Sequence, residues 1–111
     1  MGRTAHTRWE SASSVSQAIP DGQYSQTNLG ANLKFVKCFF FSEDGSGNKF
    51  VVELTGAPED SDGYLDSAIF VEGIENVLFN LEKVGSAWMF KVTNNSGETL
   101  KTAMKFDRVI A

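Results

Sequence analysis

Beyond residue 32 the apolar residues recur at every second position, in short runs broken by Gly, Asn, Asp and Ser. A period of two belongs to strands, whose successive side chains point to opposite faces. In the first run Leu33, Phe35, Lys37, Phe39 and Phe41 share one face, and Lys34, Val36, Cys38 and Phe40 the other. Residues 44–48 (Asp-Gly-Ser-Gly-Asn) tolerate the positive φ that a hairpin loop requires. Phe50, Val52 and Leu54 then alternate with Val51, Glu53 and Thr55 as the returning strand. Residues 56–63 read as a loop, and residues 64–71 as a third strand.

Residues 68–84 fit two templates. Phe70, Ile74, Val77, Leu78 and Leu81 suit a helical face, whereas Val77, Phe79 and Leu81 alternate with Asn76, Asn80 and Glu82. Gly73 would cost a helix about 1 kcal/mol relative to Ala, and the β-branched and aromatic content favours strand. Two strands with a turn at Glu72-Gly73 are therefore expected. Gly85-Ser86 makes the next turn, and Trp88, Phe90 and Val92 the next strand. Asn94-Asn95-Ser96-Gly97 is a hairpin signal, and Leu100, Thr102, Met104 and Phe106 line one face of the last strand. The expectation is an all-β fold: a single antiparallel β-sandwich or small barrel of about six strands, a meander over residues 32–111. No βαβ pattern supports a doubly wound nucleotide fold.

Residues 1–31 differ. Ser, Thr, Gln and Gly dominate, and Arg3 and Arg8 balance Glu10 and Asp21, so the net charge of −4 lies in residues 32–111. Ala12, Val15 and Ile19 fall at helical spacing, before Pro20 and an Asp21-Gly22 turn. A polar N-terminal arm with one short helix over residues 11–19 is expected. The opening Met-Gly-Arg-Thr-Ala-His lacks the apolar segment of a secretory leader, and His6 stands where a myristoylation pattern wants Ser or Thr. Cytoplasmic synthesis, or a place in a virion, fits those features.

Chemistry-bearing residues are sparse. One cysteine, Cys38, excludes an intrachain disulfide and a Cys-cluster zinc site. One histidine, His6, leaves a single candidate base, near Ser13 and Ser14 but in the arm, without the rigid frame a nucleophile needs. The acids Glu59, Asp60, Asp62 and Asp66 do not fit an EF-hand. With Gly63 at loop position 6, Pro58 and Ile69 occupy the first and last ligand positions. They read as a solvated loop, with a looser calcium site as the less favoured alternative. The 45–49 segment misses the phosphate-loop pattern. The sequon Asn94-Asn95-Ser96 reads as a turn. No catalytic, cofactor or metal residue is assigned, and an enzyme is not expected.

Nine Phe, two Trp and two Tyr remain to be placed. Most are expected in the core, where rings bury large apolar areas. The second half of residues 35–41 is apolar on both faces, so the strand needs cover on both sides. The expected function is a non-enzymatic, self-assembling structural subunit of capsid, tail or filament type. Its subunit contacts would come from the arm and this strand. Trp9 and Phe40 are the expected interface residues, Phe40 because Phe39 and Phe41 continue the face of Leu33. The partner expected is a second copy. The alternative is a small barrel that binds an apolar ligand or single-stranded nucleic acid, the latter through rings and a basic stripe of Lys34, Lys37, Lys101, Lys105 and Arg108. No apolar run is long enough to span a bilayer as a helix.

Overall fold

The computed structural model describes residues 8–43, 49–59, 62–64 and 76–111. Eight strands lie among them: β1 (Glu10–Ile19), β2 (Tyr24–Gly30), β3 (Leu33–Glu43), β4 (Lys49–Glu59), β5 (Asp62–Tyr64), β6 (Val77–Val84), β7 (Ala87–Asn94) and β8 (Leu100–Ile110). All pair antiparallel, in a five-stranded sheet of order β1-β8-β3-β4-β5 and a three-stranded sheet of order β2-β7-β6. The all-β expectation holds, as a sandwich. The order is not a meander: the chain changes sheet between β1 and β2, β2 and β3, β5 and β6, and β7 and β8, and its first strand lies beside its last.

The two inner faces fill one core. Val36, Cys38 and Phe40 of β3, Leu54 of β4, and Met104 and Phe106 of β8 come from the larger sheet. Leu29 of β2, Leu81 of β6, and Trp88, Phe90 and Val92 of β7 come from the smaller. Four rings link the layers. Phe40 and Phe79 meet edge-on at 5.1 Å, Phe79 and Phe90 at 6.4 Å, and Phe90 and Phe106 edge-on at 5.1 Å. Such contacts stabilise by about 0.5–1.5 kcal/mol each beyond area burial.

Residues 10–30 are not an arm outside the domain. The expected helix over residues 11–19 is strand β1, paired with β8 from Glu10↔Arg108 to Ile19↔Leu100. Helical spacing misled because a bulge between Ser11 and Ser13 shifts the register. Ala12 and Val15 both pack on the core although they lie three apart, and Ile19 is fully buried. β2 pairs with β7 and buries Leu29. Serine suits an edge strand, where a small polar residue faces water between apolar positions.

Polar clamps hold β1 and β2 to the rest. Asn94 is buried, and its Nδ2 donates to Ile19 O (2.8 Å) and Glu98 O (2.7 Å). Its Oδ1 accepts from the Ser96 N–H (2.9 Å) and the Ser96 hydroxyl (2.6 Å). Gly22 N–H donates to Asn94 O, and Gly97 N–H donates to Asp21 Oδ1. Both amide hydrogens of Asn94 are used, so a glycan on Nδ2 is incompatible with this packing, and the sequon is a structural turn. At the other end Arg108 Nε donates to Glu10 Oε1 (2.8 Å) and its Nη1 to Leu29 O (2.7 Å), joining one sheet to the other. A Cβ at Gly30 would sit 3.1 Å from that Nη1, on a backbone at φ +93°.

The expected turns at Asp21-Gly22 and Gly85-Ser86 are present, with Gly22 and Gly85 at positive φ. The loop expected over residues 56–63 is largely strand: β4 continues to Glu59 and pairs with β5. The 44–48 hairpin loop, the Glu72-Gly73 turn and most of the expected 64–71 strand lie outside the described residues, as does His6.

Candidate interaction face

The face of β3 that turns outward is the reverse of the expected one. Phe40 is 0% exposed and central to the core, whereas Phe39 is 38% exposed. The cause is a bulge between Leu33 and Phe35 opposite β8. Lys34 is the extra residue, so Leu33 and Val36 both point inward although they lie three apart. Extrapolating the face of Leu33 through Phe35 to Phe39 crosses this bulge and inverts every later side chain. Phe40 is therefore a core residue, and Phe35, Phe39 and Phe41 lie on the outer face.

Cross-strand register builds that face in rows. Lys37 lies between Asp107 of β8 and Thr55 of β4. Phe39 lies between Lys105 and Glu53, and Phe41 between Ala103 and Val51. Glu43 is paired with Lys101 on one side and Lys49 on the other. On the β1 side, Ser11, Ser14, Ser16 and Ala18 stand beside Asp107, Lys105, Ala103 and Lys101. At the far end Trp9 precedes Glu10, which pairs with Arg108, and Val109 pairs with Phe35. The Trp9 and Phe35 rings lie 6.5 Å apart, and Lys37 Nζ sits 4.7 Å from the Trp9 ring centre. Val109 is buried without belonging to the main core cluster.

The centre of the face is apolar and wet. Val51 is 68% exposed and Trp9 42%. With Phe35, Phe39 and Phe41 they run the length of β3. The outer face of the smaller sheet is different. There Gln26, Lys91 and Asn80 form one row and Asn28, Met89 and Glu82 the next. Tyr24 and Leu78 are exposed at one end, with Lys91 Nζ 4.4 Å from the Tyr24 ring centre and 3.9 Å from Glu82 Oε1. Isolated exposed apolar residues are normal on a surface, whereas a contiguous stripe marks an interaction site.

Charges of both signs flank the stripe. Lys37, Lys101 and Lys105 are interleaved with Glu43, Glu53 and Asp107, and Lys37 Nζ lies 3.7 Å from Glu53 Oε1. The expected basic stripe is broken by these acids, and Arg108 is drawn away to Glu10 and Leu29 O. Ser13 and Ser14 are on β1. Cys38 is sealed in the core, and burial pushes its thiol up to about 12. Such a thiol is not a nucleophile at neutral pH. Among the described residues no group of three His, Cys, Asp or Glu is placed to hold a metal ion, and no helix is long and apolar enough to cross a membrane. The side chains of the acidic 59–66 segment lie outside the described residues. The rings of the outer face were visible in the sequence, but their direction depended on the bulge at Lys34, which no turn residue marks.

Comparison with protein-family models, curated proteins and solved structures finds no match to this chain.

Proposed function

We propose that this chain is a non-enzymatic structural subunit that assembles with copies of itself, as capsid, tail or filament proteins do, through the outer face of its five-stranded sheet. The observation that carries this is the stripe of exposed Trp9, Phe35, Phe39 and Val51 with half-buried Phe41, interrupted by Lys37. An uncovered apolar stripe of that kind marks an interaction surface. Trp9 keeps the contact role expected for it, and Phe39 takes the role expected for Phe40. The interleaved signs beside the stripe favour a protein surface over a polyanion, because Glu53 and Asp107 would repel a phosphate backbone. The filled aromatic core likewise weighs against an apolar ligand held inside.

Size-exclusion chromatography with light scattering tests the proposal. A defined homo-oligomer that Phe39→Lys dissociates, with the fold retained by circular dichroism, is the expected result. A monomer at 100-micromolar concentrations, on the order where weak specific contacts already form, would refute it.

A further inference from the structure

We infer that the outer face meets the same face of a second copy across a two-fold axis running nearly along β3. The inference deepens the self-assembly proposed above and rests on it. The axis follows from the order of residues across the sheet. In the middle row Lys105 of β8, Phe39 of β3 and Glu53 of β4 stand side by side. A two-fold axis running along β3 in the contact plane lays the β8 side of one copy over the β4 side of the other. Lys105 then faces the second copy's Glu53, and Glu53 its Lys105, while Phe39 packs on Phe39. The next row matches in size: Ala103 faces Val51, the small residue of one side against the larger residue of the other, with Phe41 on Phe41. A contact of this type is self-complementary, as a two-fold interface must be.

The alternative axis, perpendicular to the strands, fails on the same row. It lays β8 over β8 and opposes Lys105 to Lys105 when centred on Phe39. In the parallel arrangement Lys37 also lies on the axis, but its ammonium is already held between Glu53 and the Trp9 ring of its own chain. Packed sheets are rotated by about 30°, so the axis runs roughly 15° off β3; this keeps the middle row opposed and splays the row of Lys101, Glu43 and Lys49, in which like charges would otherwise face each other. Lys105 has no ion pair within its own chain among the described residues, so its charge is free for the partner.

The size is adequate. Four strands about 4.8 Å apart and five rows of two-residue spacing give at most roughly 600 Å² per copy, or about 1,200 Å² in total before the end rows splay, the lower edge of specific interfaces. A dimer of moderate affinity, with strong dependence on its central charges, is the consequence.

Charge reversal tests the geometry. K105E and E53K each place like charges across the axis twice, and the double variant K105E/E53K restores opposite charges with the sides exchanged. Sedimentation equilibrium should show the dimer dissociation constant rising at least tenfold in each single variant and returning to within about threefold of the original in the double. Both positions are exposed, and thermal melts of the same samples report whether the fold is retained. Association unchanged by either single reversal overturns the face-to-face axis while leaving self-assembly standing. Singles that weaken association without rescue in the double also overturn it, since the two charges then do not face each other. An unmodified chain that stays monomeric overturns self-assembly itself.

Discussion

Phe39 and Phe40 are adjacent and chemically identical, yet one lies on the surface and the other at the centre of the core. The two faces of β3 are nearly equal in apolar content, Phe35, Lys37, Phe39 and Phe41 against Val36, Cys38, Phe40 and Ser42. What distinguishes them is geometry upstream. The Lys34 bulge sets the parity, and the aromatic chain Phe40–Phe79–Phe90–Phe106 locks it. Hydrophobicity thus decides that both faces must be covered. Register decides which is covered by the chain's own second sheet and which is left for another molecule.

The largest effect should come from removing residues 1–31. That deletion strips β1 from β8 and β2 from β7, and it removes buried Ile19 and Leu29. Each such side chain contributes about 1.5–3 kcal/mol, before the lost ladders, against a total stability of about 5–15 kcal/mol. The truncated chain is expected to show no cooperative melt by circular dichroism. A folded monomer from residues 32–111 would mean that the inner face of β3 is covered without β1 and β2.

Next comes Asn94→Ala. Its amide satisfies Ile19 O and Glu98 O and holds the Ser96 turn. Orphaning a buried carbonyl costs about 1–3 kcal/mol, so denaturant unfolding should show a loss near 2–3 kcal/mol. A loss under about 0.5 kcal/mol, the size of an ordinary surface substitution, would mean that the clamp between the two turns is dispensable.

A smaller effect is confined to alkaline pH. The unfolded Cys38 thiol titrates near 9, while burial holds the native thiol protonated up to about 12. Between those values the unfolded chain binds fewer protons than the native one, so stability falls as pH rises through that window. The slope from this group reaches at most about 1.4 kcal/mol per pH unit and vanishes below pH 8. Comparing the pH dependence of unfolding for the unmodified chain and Cys38→Ala isolates it. Equal slopes from pH 9 to 11 would mean that the inner face of β3 is wetter than its packing implies.

Much of the fold was legible from residue 76 onward. The alternation of Val77, Phe79 and Leu81, of Trp88, Phe90 and Val92, and of Leu100 through Phe106 survives intact as β6, β7 and β8. These runs hold one period, with turns marked by Gly85 and Gly97 at positive φ. The N-terminal third was not legible, for one physical reason. Bulges after Ser11, Asn28 and Leu33 each insert a residue, and an inserted residue converts a spacing of two into a spacing of three. Ala12 and Val15 then resemble a helix, and Phe39 resembles a core residue. The existence of an exposed apolar face was readable in residues 35–41. Its membership was not, because Glu53, Val51 and Lys105 reach Phe39 and Phe41 only through pairing across strands distant in sequence.

The division of β3 into a structural face and a contact face is tested most directly by paired thermal melts of Phe39→Ser and Phe40→Ser. Phe40→Ser should lose at least about 3–5 kcal/mol, the cost of deleting a buried ring, and unfold well below the parent. Phe39→Ser should lose under about 1 kcal/mol of monomer stability and melt within about 4–8 °C of the parent, while its self-association weakens. Equal destabilisation of the two variants, or a greater loss from Phe39→Ser, would contradict the division.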